Sequence, residues 1–245
     1  MSVRKISLIF FAFFILFSGL NTPINLLLKL VELPKSISYQ NLTGTLWQGE
    51  ASVVQVDKQR LEKLSWSFKP SELLTGNLGF DIKFGNARIN RELSGKAIAS
   101  VGLAGTRLKN MTFRLPASLI KSALPIPVGP ISGRVVFDIE EFEYQQPLCN
   151  QLVGDVSWLN AAIDISGEIA FGTISSQLSC QDNKVIASFD GANSLGIEGK
   201  ATIASAKSFG FNGFLKPSAE LPAVVHQGIG VFAKVDAKGR YKISL

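Results

Sequence analysis

Residues 134–144 read RVVFDIEEFEY. Val135, Phe137 and Ile139 alternate with Arg134, Val136, Asp138 and Glu140, and Phe142 and Tyr144 alternate with Glu141 and Glu143. A period of two places successive side chains on opposite faces of an extended strand. The phase flips between Glu140 and Glu141, which marks a bulge or tight bend. The same period recurs on either side. Met111, Phe113 and Leu115 carry it upstream; Val156 and Trp158, Ile163 and Ile165, and Tyr241, Ile243 and Leu245 carry it downstream. Turn signals fall between these segments, at Gly44, Gly76, Gly85-Asn86, Gly95, Gly105, Gly133, Gly154, Gly167, Asp182-Asn183, Gly191, Gly199, Gly213 and Lys238-Gly239. Short alternating runs between frequent turns are the pattern of an antiparallel all-β protein.

Three stretches read as helix: Pro70 to Thr75, Pro116 to Ala123, and Ser218 to Phe232. Pro at the start of a helix costs no hydrogen bond. Gly228 and Gly230 weaken the far end of the third stretch. The run Leu124 to Pro130 is the one candidate internal boundary. Around it, Trp66 and Trp158 sit in weakly similar alternating segments, LSWSF and VSWL.

The amino end has a different composition. Arg4 and Lys5 precede ISLIFFAFFILFSGL, residues 6–20, which carries no charge. Asn21, Thr22, Pro23 and Asn25 interrupt it before Leu26, Leu27 and Leu28 resume. A secretory signal and an uncleaved anchor both fit the basic head and apolar run. No small residues stand at cleavage-site spacing, which favours an anchor extending from Ile6 to Leu28. Positive residues before the run orient its amino end to the cytoplasm. Either reading carries the remainder across the membrane. The expected organisation is therefore a cytoplasmic tip and membrane anchor over 1–31, then a periplasmic β-rich domain over 32–245, with a subdivision near 124–130. The expected fold class is mainly β: a single transmembrane helix, then a curved antiparallel sheet with a few short helices.

The chain has 245 residues, 46% of them hydrophobic and 18% charged. That composition excludes a disordered chain. From Glu32 onward 22 basic residues face 19 acidic ones, without the clustering a nucleic-acid binder needs. A single histidine, His226, leaves little room for acid–base or metal chemistry. No phosphate loop, dinucleotide fingerprint or nucleophile elbow is present. Asp138, Glu140, Glu141 and Glu143 form the densest acidic group; it reads as a solvated edge or a partner contact. The two cysteines, Cys149 and Cys180, read as a disulfide outside the cytoplasm, the alternative being two buried thiols. The entropy model values such a loop at roughly 3–4 kcal/mol. Phenylalanines spread along the predicted strands read as core or, alternatively, as the lining of an apolar lipid groove.

One stretch is more specific. LTGTLWQGEA at 42–51 is followed by LSWSFKP at 64–70 and LLTG at 73–76. Leu115-Pro116, Pro125-Ile126-Pro127, the cysteine pair and GDVSWLNA at 154–161 follow in order. In this the chain resembles protein N of the bacterial type II secretion system. The resemblance implies an inner-membrane protein with a periplasmic body, assisting export of folded proteins across the outer membrane. It implies no active site, cofactor or metal. The implied partners are other inner-membrane and periplasmic components of the machine, and membrane lipid through the anchor; nucleic acid is not among them. Gly44, Trp47, Gly49, Trp66, Gly76 and Trp158 are the motif residues. The glycines are expected to permit bends, and Trp47 and Trp66 to anchor the first hairpin. The rival expectation is an AsmA-like groove protein that carries lipid.

Overall fold

The apolar amino end is helical, but not as one helix. The computed structural model describes all residues except 1–2, 30–33, 35, 58, 90–91, 104, 121–128, 166 and 206–207. Helix α1 covers Val3–Asn21 and a short helix α2 covers Ile24–Leu28. Pro23 separates them, because it lacks an N–H and restricts the residue before it. Asn21 Nδ2 donates to the Phe17 carbonyl at 2.8 Å, and Thr22 Oγ1 to that of Ser18 at 2.6 Å, which closes the end of α1. The expected continuous span from Ile6 to Leu28 is thus corrected to two pieces. Among the described residues, no helix is long and apolar enough to cross a membrane.

The strands of the described chain form one antiparallel sheet of 14. They are β1 (Ile37–Gln40), β2 (Thr43–Gly44), β3 (Gln48–Val56), β4 (Gln59–Phe68), β5 (Asn77–Phe84), β6 (Ser94–Gly102) and β7 (Gly105–Pro116). Then come β8 (Ile131–Glu143), β9 (Gln151–Asp164), β10 (Glu168–Gln181), β11 (Lys184–Asp190), β12 (Glu198–Ser205), β13 (Ser208–Leu215) and β14 (Tyr241–Ser244). From β3 to β14 each strand pairs with its neighbours in sequence. β1 and β2 both lie against β3, β1 at Val53–Val56 and β2 at Gly49 and Glu50. These form one edge of the sheet and β14 forms the other.

Register makes the two faces unlike. Directly opposed residues share a face. One row runs Thr43, Glu50, Ser65, Lys83, Lys96, Thr112, and continues Asp138, Asp155, Gln177, Ser188, Lys200, Asn212, Ser244. Every member of that row is polar. One residue along each strand, the opposite face carries Phe84, Gly95, Phe113, Phe137 and Val156. Phe68, Phe80, Ala99, Leu108, Phe142 and Leu152 form a second apolar row on that same face.

Bulges keep the apolar face continuous. β8 slips against β9 between Ile139 and Glu141, the position where the sequence changes phase. β7 slips against β6 beside Asn110, and β9 against β8 beside Asn160; both asparagines have positive φ. Such bulges bend and twist their strands. Ile139, Leu152 and Leu178 are buried in a cluster whose other members all come from β7–β11. Helix α3 (Ala223–Phe232) covers that face further along. Its Val225 is buried against Ala161, Ile169, Phe171 and Ile174.

Pro70–Thr75 forms a 3-10 helix as expected. In the second stretch only Ala117–Leu119 is helical before the description stops at residue 120. α3 begins at Ala223 rather than Ser218, because Pro222 takes the capping position with extended ψ of 147°. Most of the candidate boundary at 124–130 lies outside the described residues; β7 and β8, which flank it, pair from Pro116↔Arg134 to Arg107↔Glu143.

Candidate functional site

Four of the motif residues, Gly44, Trp47, Gly49 and Trp66, gather at the corner where the amino-terminal helices meet the sheet. Trp47 lies between β2 and β3, and its indole N–H donates to the Gly19 carbonyl of α1 at 3.1 Å. Pro23 bridges to Thr45, and Asn25 Nδ2 donates to the Leu42 carbonyl at 3.0 Å. The Trp47 ring meets Phe68 edge-on at 5.1 Å, and Phe68 meets Phe80 at 5.7 Å. Aromatic side chains thus lead from the end of α1 onto the apolar face. Edge-to-face pairs at these distances are the favoured aromatic geometry.

Trp66 stands opposite Gly49 in the β3–β4 ladder. Its N–H donates to the Leu46 carbonyl at 3.1 Å. A Cβ on Gly49 would overlap the Trp66 ring and the Thr43 carbonyl, so glycine is what lets the indole lie flat across β3. Gly44 pairs with Gly49 and has φ of 99°. Gly76 closes the 3-10 helix with φ of 74°, its N–H bonding the Leu73 carbonyl at 3.0 Å.

Trp158 repeats the arrangement on β9. Its N–H donates to the Ser132 carbonyl at 2.9 Å. The neighbouring glycine is Gly133, at φ of 101°; a Cβ there would lie 2.8 Å from Trp158 Nε1 and 2.6 Å from the Leu159 carbonyl oxygen. Sequence reading takes Gly133 for a turn. The structure places it inside β8, under an indole, and Gly154 likewise inside β9. A Trp one strand away from a mid-strand Gly is the signal that identifies such a platform.

Cys149 and Cys180 form a disulfide with Cα atoms 6.1 Å apart. Cys149 is fully buried. The bond joins the segment before β9 to the end of β10, at the same end of the sheet as Trp47.

The acidic group lies inside the sheet, since β8 is an interior strand, and not on an edge. Arg107 Nη2 lies 3.1 Å from Glu143 Oε1, and its Nε 3.8 Å from Glu141 Oε1. Asn150 donates to Glu143 at 2.8 Å and Gln151 to Glu141 at 3.0 Å. The hydrogen bonds from Asn150 and then Arg107 hold the Glu143 carboxyl below the usual glutamate range. These carboxylates lace β7, β8 and β9 together. Asp138 and Asp155 oppose each other directly, and Asp138 accepts from Thr112 Oγ1 at 3.2 Å. His226 is half-buried on α3. Among the described residues, no three His, Cys, Asp or Glu side chains cluster in a metal-binding arrangement. A shallow open cleft of about 580 Å³ lies over the β2–β5 corner on the polar face, lined by Glu50, Ser65, Asp81 and Lys83 among others.

Residues 35–244 match the family model of the type II secretion system (T2SS), protein N. The chain belongs to this family. It is 28% identical over 222 residues to the type II secretion system protein N of Vibrio cholerae, covering 89% of this chain and 88% of that one. The Aeromonas hydrophila protein of that name is 25% identical over 246 residues, covering 97% and 95%. The Pectobacterium carotovorum protein is 24% identical over 217 residues, covering 87% and 84%. No solved structure gives a significant match. The family match takes in every strand from β1 to β14.

Proposed function

We infer that the chain is a non-enzymatic accessory component of the type II secretion system, held at the inner membrane by its amino end and docking other components from the periplasm. The observation that carries the reading is the family match along the full sheet. The membrane reading is supported by α1. Phe10, Phe11, Phe13, Phe14 and Phe17 are all more than half exposed, and a helix apolar on every side belongs in lipid. Its 19 residues rise about 28 Å, against about 30 Å of hydrocarbon. A modest local thinning of the bilayer, with Arg4 and Lys5 reaching to the headgroups, accommodates the shortfall. The amino end is then cytoplasmic, and the Cys149–Cys180 bond suits a periplasmic body.

Docking falls to the edge formed by β1 and β2, where Tyr39 is 40% exposed. An open strand edge accepts a further strand from a partner. A deletion strain should accumulate exported proteins in the periplasm, and the wild-type gene should restore release. A photo-crosslinker at Tyr39 should capture another component of the machine. Normal secretion in the deletion strain would sink the reading, and no capture at Tyr39 would remove the docking edge.

A second reading, an AsmA-like lipid groove, is favoured by one observation. The apolar face ends in half-exposed side chains at Leu78, Val101, Ile203 and Phe209. Stoichiometric phospholipid in the purified protein would support it, and a lipid-free protein would dismiss it.

A further inference from the structure

The ends of the strands define two rims. β3 begins, β4 ends, β5 begins, β6 ends and β7 begins on one of them. That rim also receives the amino-terminal helices, through the Trp47 to Gly19 bond and the Pro23–Thr45 bridge. On it stand the most exposed leucines of the described chain. Leu103, in the β6–β7 turn, is fully exposed at 107%, and Leu74, on the 3-10 helix, is 90% exposed. Register brings them to one corner. Asn77 pairs with Gly102, so the turn holding Leu103 lies across from the end of the helix holding Leu74. Leu78 pairs with Val101 just behind, and both are about half exposed.

Leucines at two adjacent tips bury nothing in the chain itself, and water penalises each by roughly 1.5–3 kcal/mol relative to burial. Three features fit a bilayer surface as the cover. The corner lies about three strand spacings from Trp47, or roughly 15 Å, on the rim where α1 ends. Trp47 sits between them, an aromatic with an apolar body and a polar tip of the kind enriched at membrane interfaces. Lys69 stands at the start of the 3-10 helix, whose first turn also carries Glu72; a cation there suits anionic headgroups.

We propose that this rim lies on the periplasmic leaflet, with Leu74 and Leu103 inserted among the acyl chains and the apolar face of the sheet opening onto the membrane. The proposal rests on the inference above that α1 sits in lipid. It makes the amino-terminal half of the sheet a surface-docked element and not a body swinging on a tether.

The test uses the full chain in vesicles of phosphatidylethanolamine and phosphatidylglycerol. The two native cysteines are bonded to each other, so a single introduced thiol takes a polarity-sensitive fluorophore. Leu103→Cys and, separately, Leu74→Cys report the rim. Ser118→Cys reports the opposite rim, and Phe10→Cys reports α1. The expected result is a several-fold brighter, blue-shifted signal at 103, 74 and 10, quenched by a lipid-borne quencher, with 118 remaining wet. A lipid-buried probe at 10 with wet probes at 103 and 74 overturns the proposal and leaves the anchor standing; the corner would then be a protein contact. Wet probes at all of these positions overturn both. Lipid-buried probes at 103 and 74 with a wet probe at 10 keep the rim contact and dismiss the anchor.

Discussion

On β1–β7 the buried apolar side chains are Ala51 and Leu115; on β8–β14 they are Ile131, Val135, Ile139, Leu152, Ala161, Ala162, Ile169, Phe171, Ile174, Leu178, Ile186 and Ala201. Both halves alternate apolar and polar residues with the same period. The difference lies in what covers the apolar face. The second half has α3 seated on Ile169, Phe171 and Ile174, the side-chain cluster of β7–β11, and the Cys149–Cys180 bond. The first half has one 3-10 helix and aromatic contacts that lead toward α1. Alternation therefore specifies strands, while burial is conferred by elements distant in sequence. A half that leaves its apolar face half-covered is suited to meet something outside the chain.

Five variants bear on this comparison. The largest effect is expected from replacing Cys149 and Cys180 together with serine, at about 3–4 kcal/mol. Hydrogen exchange followed by mass spectrometry should show protection falling across β8–β11 while β3–β5 keep theirs. Equal loss in both halves would merge them into one cooperative unit. Next, Gly133→Ala should cost about 3 kcal/mol, because a Cβ there meets two carbonyl oxygens and the Trp158 indole at a strained φ. In Gly49→Ala the added Cβ meets the Trp66 ring and the Thr43 carbonyl, without a strained φ. The global melting temperature should fall for Gly133→Ala, whereas Gly49→Ala should open the β2–β4 corner locally. The reverse order would mean that the first half governs stability.

Val225→Ala should cost about 2–3 kcal/mol, since Val225 is the fully buried contact of α3. Limited proteolysis should then cut near α3 first; an unchanged digestion pattern would show that α3 contributes nothing to the cover. The smallest effect concerns Glu143, at the seam between the halves. Its carboxyl is held low by Asn150 and Arg107. A depressed folded-state value stabilises above the ordinary glutamate range, and that contribution is lost as pH falls through the folded-state value. Glu143→Gln should therefore flatten the acid limb of a denaturation series below about pH 4. Parallel acid limbs for the two proteins would remove Glu143 from the seam.

Much of the sheet was legible in the sequence, for local reasons. The phase change at Glu140 and Glu141 marked a real bulge, because one inserted residue shifts side-chain parity. Pro70 marked the start of a helix, and Asp182-Asn183 a two-residue turn. Long-range pairing was not legible. Gly133 and Gly154 look like turn residues along the chain, but their function is to admit Trp158 and Ile139 from the neighbouring strand. Lys63 has positive φ in β4 without any compositional cue. At the amino end, counting apolar residues across Pro23 overestimated the helix, since propensity cannot supply the missing N–H. Of the site, the Trp and Gly positions could be named from the sequence; the convergence of Trp47, Phe68 and Phe80 on the end of α1 could not.

The strand order has a kinetic side. Because each strand from β3 onward pairs with the one made just before it, contacts are short in sequence and little loop-closure entropy is paid at any step. A chain threading outward amino end first would present each new strand to an edge already formed. The disulfide joins the two ends of a single hairpin, so its partners meet as soon as β10 is laid down. Helix α3 must reach back past several strands to find its seat on Phe171. The sheet can close in the order in which it is synthesised, with the helix that seals its second half arriving near the end.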